Sequence, residues 1–169
     1  GVAAIFAEEG EIHLPNNHQG YSPEQPVAFS QALHAGTLDL DCLYCHSAAD
    51  EGRHATLPSV QTCMTCHTEV EGSNDRARTE IAKVRKAYES GEAIEWVKVH
   101  RYPDLAYFNH SAHVNKDIEC QTCHGNVQDM NVMKQHSDLS MGWCVNCHRE
   151  QNELREDIKA PLDCAACHR

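Results

Sequence analysis

Large apolar side chains are scarce in this chain. Val, Leu, Ile and Phe together supply 30 of 169 residues, under a fifth, and the formal net charge is −11. Sequences this poor in core-forming residues and this charged normally cannot offset the entropy of ordering themselves and stay disordered. Clustered basic residues are lacking too: 14 Lys and Arg stand against 25 Asp and Glu. The densest basic group, Lys83, Arg85 and Lys86, has acidic flanks. That excludes nucleic acid as a partner, because phosphate contacts need grouped Lys and Arg. No run of about 20 apolar residues exists, so no helix written here spans a bilayer. The opening Gly1–Ala7 stretch is apolar but too short; it reads either as the stub of an export or anchor segment or as a plain apolar terminus. A chain starting with Gly rather than Met is expected to have been processed.

What the chain does have is ten Cys and thirteen His, which a solvated tail would not carry. All ten Cys fall in five identical frames: Cys42-Leu-Tyr-Cys45-His46, Cys63-Met-Thr-Cys66-His67, Cys120-Gln-Thr-Cys123-His124, Cys144-Val-Asn-Cys147-His148 and Cys164-Ala-Ala-Cys167-His168. C-x-x-C-H is the attachment pattern of c-type haem. The thiols form thioethers to the vinyl groups, and the His is the proximal iron ligand. A structural zinc site would pair two C-x-x-C knuckles, and five is an odd number to pair. Disulfides do not require a following His. At the overall His frequency of 13 in 169, five such matches arise by chance about three times in a million. The cofactor expectation is therefore five covalently bound haem c.

This expectation also resolves the composition. Five haems in 169 residues bring flat apolar rings that fill much of the interior, so the chain should fold when loaded and be largely unfolded without them. The fold class expected is mostly irregular with short α-helices, organised around five covalent haems. Thioether attachment places the protein outside the cytoplasm, on the periplasmic face, after removal of a signal peptide.

An internal repeat divides the chain. Phe29-Ser-Gln31-Ala-Leu-His34 precedes Asp39-Leu-Asp-Cys42, and Phe108-Asn-His110-Ser-Ala-His113 precedes Asp117-Ile-Glu-Cys120. Each copy continues with a lone His, His54 or His136, and a second motif; the second copy alone adds a third. The expected organisation is an irregular arm over 1–26, a two-haem unit over 27–70, a connector over 71–107 and a three-haem unit over 108–169. In the connector, Ala77, Ile81, Val84 and Tyr88 recur at helical spacing, with Ser73 or Asn74 as N-cap and Gly91 just past the end. Ile94–His100 reads as an extended stretch stopped before Pro103. Residues 149–161 read as a charged tail that wraps the surface.

His46, His67, His124, His148 and His168 are the proximal ligands. Eight His remain, of which five serve as distal ligands if every iron has two His. His34, His110 and His113 stand just ahead of a motif at repeat-equivalent places. His54, His100 and His136 complete the candidate set, and His13 and His18 lie in the irregular arm. Gln31 stands where the second copy has His110, so His18, His54 or His100 must replace that ligand if anything does. Met130, Met133 or Met141 could replace one distal His and raise the potential of that haem; Met64, inside a C-x-x-C loop, is badly placed for this.

The F-x-H-x-x-H pattern and the order of motifs over 108–168 resemble the small multihaem cytochromes c3 and c7. That likeness implies His110 for the Cys120–His124 haem, His113 for Cys144–His148 and His136 for Cys164–His168. Over about Gln25–Arg149, the strings PVAFSQALHAGTL, CLYCHS, CMTCHTE, IEWVKVHRYPDLAYFNHSAHV, CQTCHG and LSMGWCVNCHRE are similar to the pentahaem subunit of alternative complex III, a quinol-oxidising membrane complex. The likeness implies electron transfer rather than catalysis by this chain itself, with iron–sulfur/molybdopterin-type and quinone-binding membrane subunits as partners and a cytochrome c or terminal oxidase downstream. It favours His100 as a ligand where the c7 layout favours His136. The family's usual FSH reads Phe29-Ser-Gln31 here, and its N-terminal membrane helix has no counterpart beyond Gly1–Ala7. Two further readings stand beside it: a free-standing or filament-forming extracellular cytochrome, and a multihaem oxidoreductase with one open haem, which would need acid-base groups beside that iron.

Overall fold

A computed structural model describes residues 18–168 and the backbone of 5–6 and 12–13. The irregular arm expected over 1–26 lies mostly outside the described residues, as does the side chain of His13. Two residues each of β1 (Ile5–Phe6) and β2 (Ile12–His13) pair antiparallel. All else is short helices and loops: α1 (Cys42–Cys45), α2 (Val60–His67), α3 (Asp75–Ser90), α4 (His110–Val114), α5 (Cys120–His124), α6 (Met141–Leu154) and α7 (Cys164–Cys167). A π-helical turn spans Ala32–Thr37 and a 3-10 turn spans Val127–Asp129. The fold is thus mostly irregular with short helices. Among the described residues no helix is long and apolar enough to cross a membrane.

The helices form where polar side chains cap them. Asp41, Ser59, Asn109, Ser140 and Asp163 each accept a hydrogen bond from the first free backbone N–H groups of the helix that follows. In α3 the cap is Asn74, accepting from the Ala77 N–H at 3.0 Å, and the helix ends at Gly91 with φ 72°, a left-handed stop that favours glycine. Ile94–His100, with the alternation of a strand, joins no sheet. Its backbone partner is a side chain: the Gln25 amide donates to the Val97 carbonyl at 3.0 Å and accepts from its N–H at 2.9 Å.

Protein atoms alone make a small core. The buried apolar residues are Val27, Ala49, Met64, Val84, Val99 and Ile158. Val27, Met64 and Val84 form one cluster, joined by Val60, Cys63, Ile94 and Trp96, where α2 lies on α3. Arg85 of α3 secures that contact by donating to the His67 carbonyl at 2.9 Å. A second knot is polar. Gln135, fully buried, bonds through backbone and side chain to residues 20–21, 101 and 137. The accessible surface is 11911 Å², against about 8,300 Å² for a compact chain of 18.9 kDa. Many large apolar side chains stay exposed, among them Leu43 and Tyr44 inside the first motif and Leu57, Met141 and Leu162 just ahead of the second, fourth and fifth.

The repeat is structural. Phe29 stacks on His34 at 4.2 Å between ring centroids, and Phe108 lies on His113 at 4.7 Å. His34 and His113 each send Nδ1–H back four residues, to the Ser30 and Asn109 carbonyls. Asp39 and Asp117 both turn the chain with positive φ, 54° and 55°. Beyond Gln31 standing in place of His110, the copies differ in local form: Ala32–Thr37 is a π-helical turn where the second copy has α4. Gly36 explains the closeness there, because a Cβ on it would collide with the Gln128 carbonyl.

Candidate haem-binding centres

Each C-x-x-C-H motif sits on or at the end of a helix, α1, α2, α5, α6 or α7. Residues i, i+3 and i+4 of a helix share a face, so each motif turns two thiols and one imidazole to one side. All ten cysteines are free and at least half-buried or exposed. Among the described residues no group of three or more His, Cys, Asp or Glu converges as a metal cluster.

The ring nitrogens sort the histidines. An iron-bound His usually donates its second ring N–H to a fixed acceptor, which orients the ring and leaves the other nitrogen for the metal. Nδ1 of His46 donates to the Thr56 carbonyl at 2.7 Å, His67 to Val70 at 3.1 Å, His148 to Pro161 at 2.7 Å and His168 to Leu105 at 3.1 Å. His34, His110 and His113 do the same toward Ser30, Arg53 and Asn109, at 2.8–2.9 Å. The remaining motif residue, His124, shares its Nδ1 hydrogen bond with Nε2 of His100 at 3.1 Å. All eight rings therefore keep Nε2 for a metal. The acceptor for His46 is held under strain: Thr56, β-branched, has φ 62°.

Three of these rings face a motif imidazole. The centroids of His34 and His67 are 6.2 Å apart, those of His110 and His124 6.4 Å, and those of His113 and His148 6.0 Å. An iron held between two imidazole nitrogens at about 2.0 Å each would set the centroids about 6.3 Å apart. An apolar cavity of about 530 Å³ opens beside Cys63, lined by Leu57, Val60, Tyr88, Ile94 and Trp96 among others. Imidazole pairs at axial spacing, ring nitrogens preset by carbonyls, exposed thiols and apolar space beside them all fit haem.

The other candidates are placed differently. His100 packs edge-on against His124, 4.3 Å between centroids, with its own Nε2 engaged. His136 lies against Gly125, directly after His124, where a Cβ would come 2.6 Å from its ring. His54 is exposed. His18 packs edge-on to Tyr21 at 6.0 Å. Met64 is buried in the α2–α3 cluster.

Burial favours the neutral, metal-binding form of His100, His113 and His124. It pulls His124 down to about 3, with the neighbouring imidazoles of His100, His110 and His46 adding to the effect. Burial likewise takes His100 to about 4 and lowers His113. The Cys123 thiol is pushed up to about 11 by burial, then by the nearby Cys147, Cys144 and Cys120. Two parts of the centres had no assigned role in the sequence reading. One is Phe29 and Phe108, which hold the rings facing His67 and His148; their equal spacing ahead of His34 and His113 was the available signal. The other is the set of backbone carbonyl acceptors, which no sequence pattern marks.

Five haem-attachment motifs on a scaffold of mostly short helices and irregular segments define a multihaem c-type cytochrome. Residues 7–101 match the class III cytochrome c family, and residues 106–169 match cytochrome c7 and related cytochromes c. The chain belongs to the class III cytochrome c family, whose cofactor is haem c and whose task is electron transfer. It is 28% identical over 166 residues to the menaquinone reductase multihaem cytochrome c subunit of Nitratidesulfovibrio vulgaris, covering 86% of this chain and 77% of that protein. It is 26% identical over 155 residues to the 26 kDa cytochrome c3 of Desulfomicrobium norvegicum, covering 91% of this chain and 87% of that one.

Proposed function

We propose that this chain carries electrons along five covalent haems as a subunit of an extracytoplasmic, membrane-bound quinone oxidoreductase of the alternative complex III type. The observation that carries the electron-transfer part is the set of three imidazole pairs at axial spacing, together with five attachment motifs. When bound, a haem with both axial positions filled changes oxidation state without binding substrate. The ten motif cysteines attach the haems, and His46, His67, His124, His148 and His168 are proximal ligands. His34, His110 and His113 are the distal ligands for His67, His124 and His148. His54, His100 and His136 remain the candidates for His46 and His168. The two-haem unit over 27–70 and the three-haem unit over 108–169 are joined by the connector.

Membership in a quinone-linked complex is supported by the likeness to a menaquinone reductase subunit over most of the chain and by the motif strings shared with alternative complex III. The acidic surface, at net charge −11, suits docking to a basic partner. The test is gentle detergent extraction of membranes with a tagged chain. Co-purification of iron–sulfur and quinone-binding membrane subunits is the expected result. Recovery of the haem-loaded chain alone from the soluble fraction would overturn the complex reading and leave a free electron carrier.

A further inference from the structure

We propose that the five attachment sites are ordered in space as Cys63–His67, Cys42–His46, Cys120–His124, Cys144–His148 and Cys164–His168, so that the first motif in the sequence is an interior joint and the second is an end. This rests on the five-haem reading.

The joint is built from backbone. The loop leaving the first motif is clamped to the helix that serves the third. The Arg53 carbonyl accepts both the backbone N–H of His110 at 3.2 Å and its ring Nδ1–H at 2.9 Å. Gly52 accepts from the Ser111 N–H at 3.0 Å, and the Asn115 amide donates to the Asp50 carbonyl at 2.9 Å. In return, Arg53 donates from Nε to the Phe108 carbonyl at 3.1 Å. Across this clamp Cys120 lies within electrostatic reach of Cys42, and His46 within reach of His124. The first and third motifs are therefore neighbours, although the 73 residues 47–119 separate them in the chain.

On its other side the first motif meets the second: His34, on the segment leading into the first motif, lies 6.2 Å between ring centroids from His67, and Cys45 is within electrostatic reach of Cys63. The second motif is carried by α2, which packs against α3 and the Trp96 segment. Beyond the joint, one Phe108 ring touches both His110 and His113, at 4.8 and 4.7 Å. Those imidazoles face His124 and His148, which makes the third and fourth motifs neighbours. Cys144 lies near Cys167, and His148 donates to the Pro161 carbonyl in the segment leading to α7, which sets the fifth motif last. The joint is also the site whose repeat position holds Gln31 in place of a histidine, so the link between the two units is the one centre not built to the repeat's plan.

The test locates irons in crystals of the haem-loaded protein by anomalous scattering at the iron edge, with each iron assigned from its thioethers. The expected result is five irons in which the Cys42–Cys45 iron has two close neighbours, those of Cys63–Cys66 and Cys120–Cys123, and the Cys63–Cys66 iron has one. Five irons with the Cys63–Cys66 iron between the other two would overturn the order alone. Fewer than five irons would overturn the haem count and this order with it.

Discussion

Replacing His110 with Ala should convert one haem in five, and only that one, to high spin. His110 faces His124 with centroids 6.4 Å apart and planes 6° apart, while His113 faces His148 at 6.0 Å. On the proposed ligand assignment each ring serves a different motif. Attachment through the ten motif cysteines would not involve His110, so the haem content should stay at five. Stability should fall only modestly. The ring gives up one hydrogen bond to the Arg53 carbonyl and its contact with Phe108, but the backbone N–H of residue 110 still donates to that carbonyl. A lost hydrogen bond costs about 1 kcal/mol. Low-temperature electron paramagnetic resonance of the oxidised variant should move one-fifth of the low-spin intensity to a high-spin ferric signal. The reduced variant should bind one more CO per chain than the parent. His113→Ala should give the same at the Cys144–His148 centre, and the double variant two-fifths. Fully low-spin spectra in both single variants, with no added CO binding, would refute the axial reading of these pairs.

Three further outcomes follow from the same structure. Chain made without haem attachment should lack a cooperative unfolding transition by circular dichroism, because the six buried apolar residues among those described are too few to hold it. Gly125→Ala should lower the loaded protein's stability by about 1–3 kcal/mol, read as a lower urea midpoint, since φ is 70° and the new Cβ meets His136 at 2.6 Å. The loaded protein should also lose stability in acid. His100 sits at about 4 when folded, below its ordinary 6.5, so the unfolded chain binds more protons between those values. Stability is therefore complete above about 6.5 and falls as the pH drops toward 4, and denaturant midpoints at pH 7.5, 5 and 4 measure it.

The parts that were legible in the sequence are those set by local chemistry. The five motifs, the repeat with its Phe-to-His spacing, and the α3 helix with Asn74 and Gly91 at its ends all depend on residues within one or two turns of each other. The unusual composition was legible as well, because scarcity of Val, Leu, Ile and Phe leaves space that side chains do not fill. Ile94–His100 was legible as an extended stretch, but its alternation did not name its partner, which is a single Gln25 amide. Histidine placement was only partly legible. Repeat position marked His34, His110 and His113 as ligand candidates. It gave no sign that His100 would lie behind His124 or His136 against Gly125, since both follow from how distant loops meet. The nearness of Cys42 to Cys120 has the same origin: it depends on the Arg53 clamp, which joins segments more than 50 residues apart.

The central claim is that five covalent haems complete this chain's interior, and intact-mass spectrometry of the mature protein after thiol alkylation tests it most directly. The account predicts the mass of the chain plus five haems and no alkylated cysteine among the ten. A mass with fewer haems, and a pair of alkylated thiols for each one missing, would contradict it.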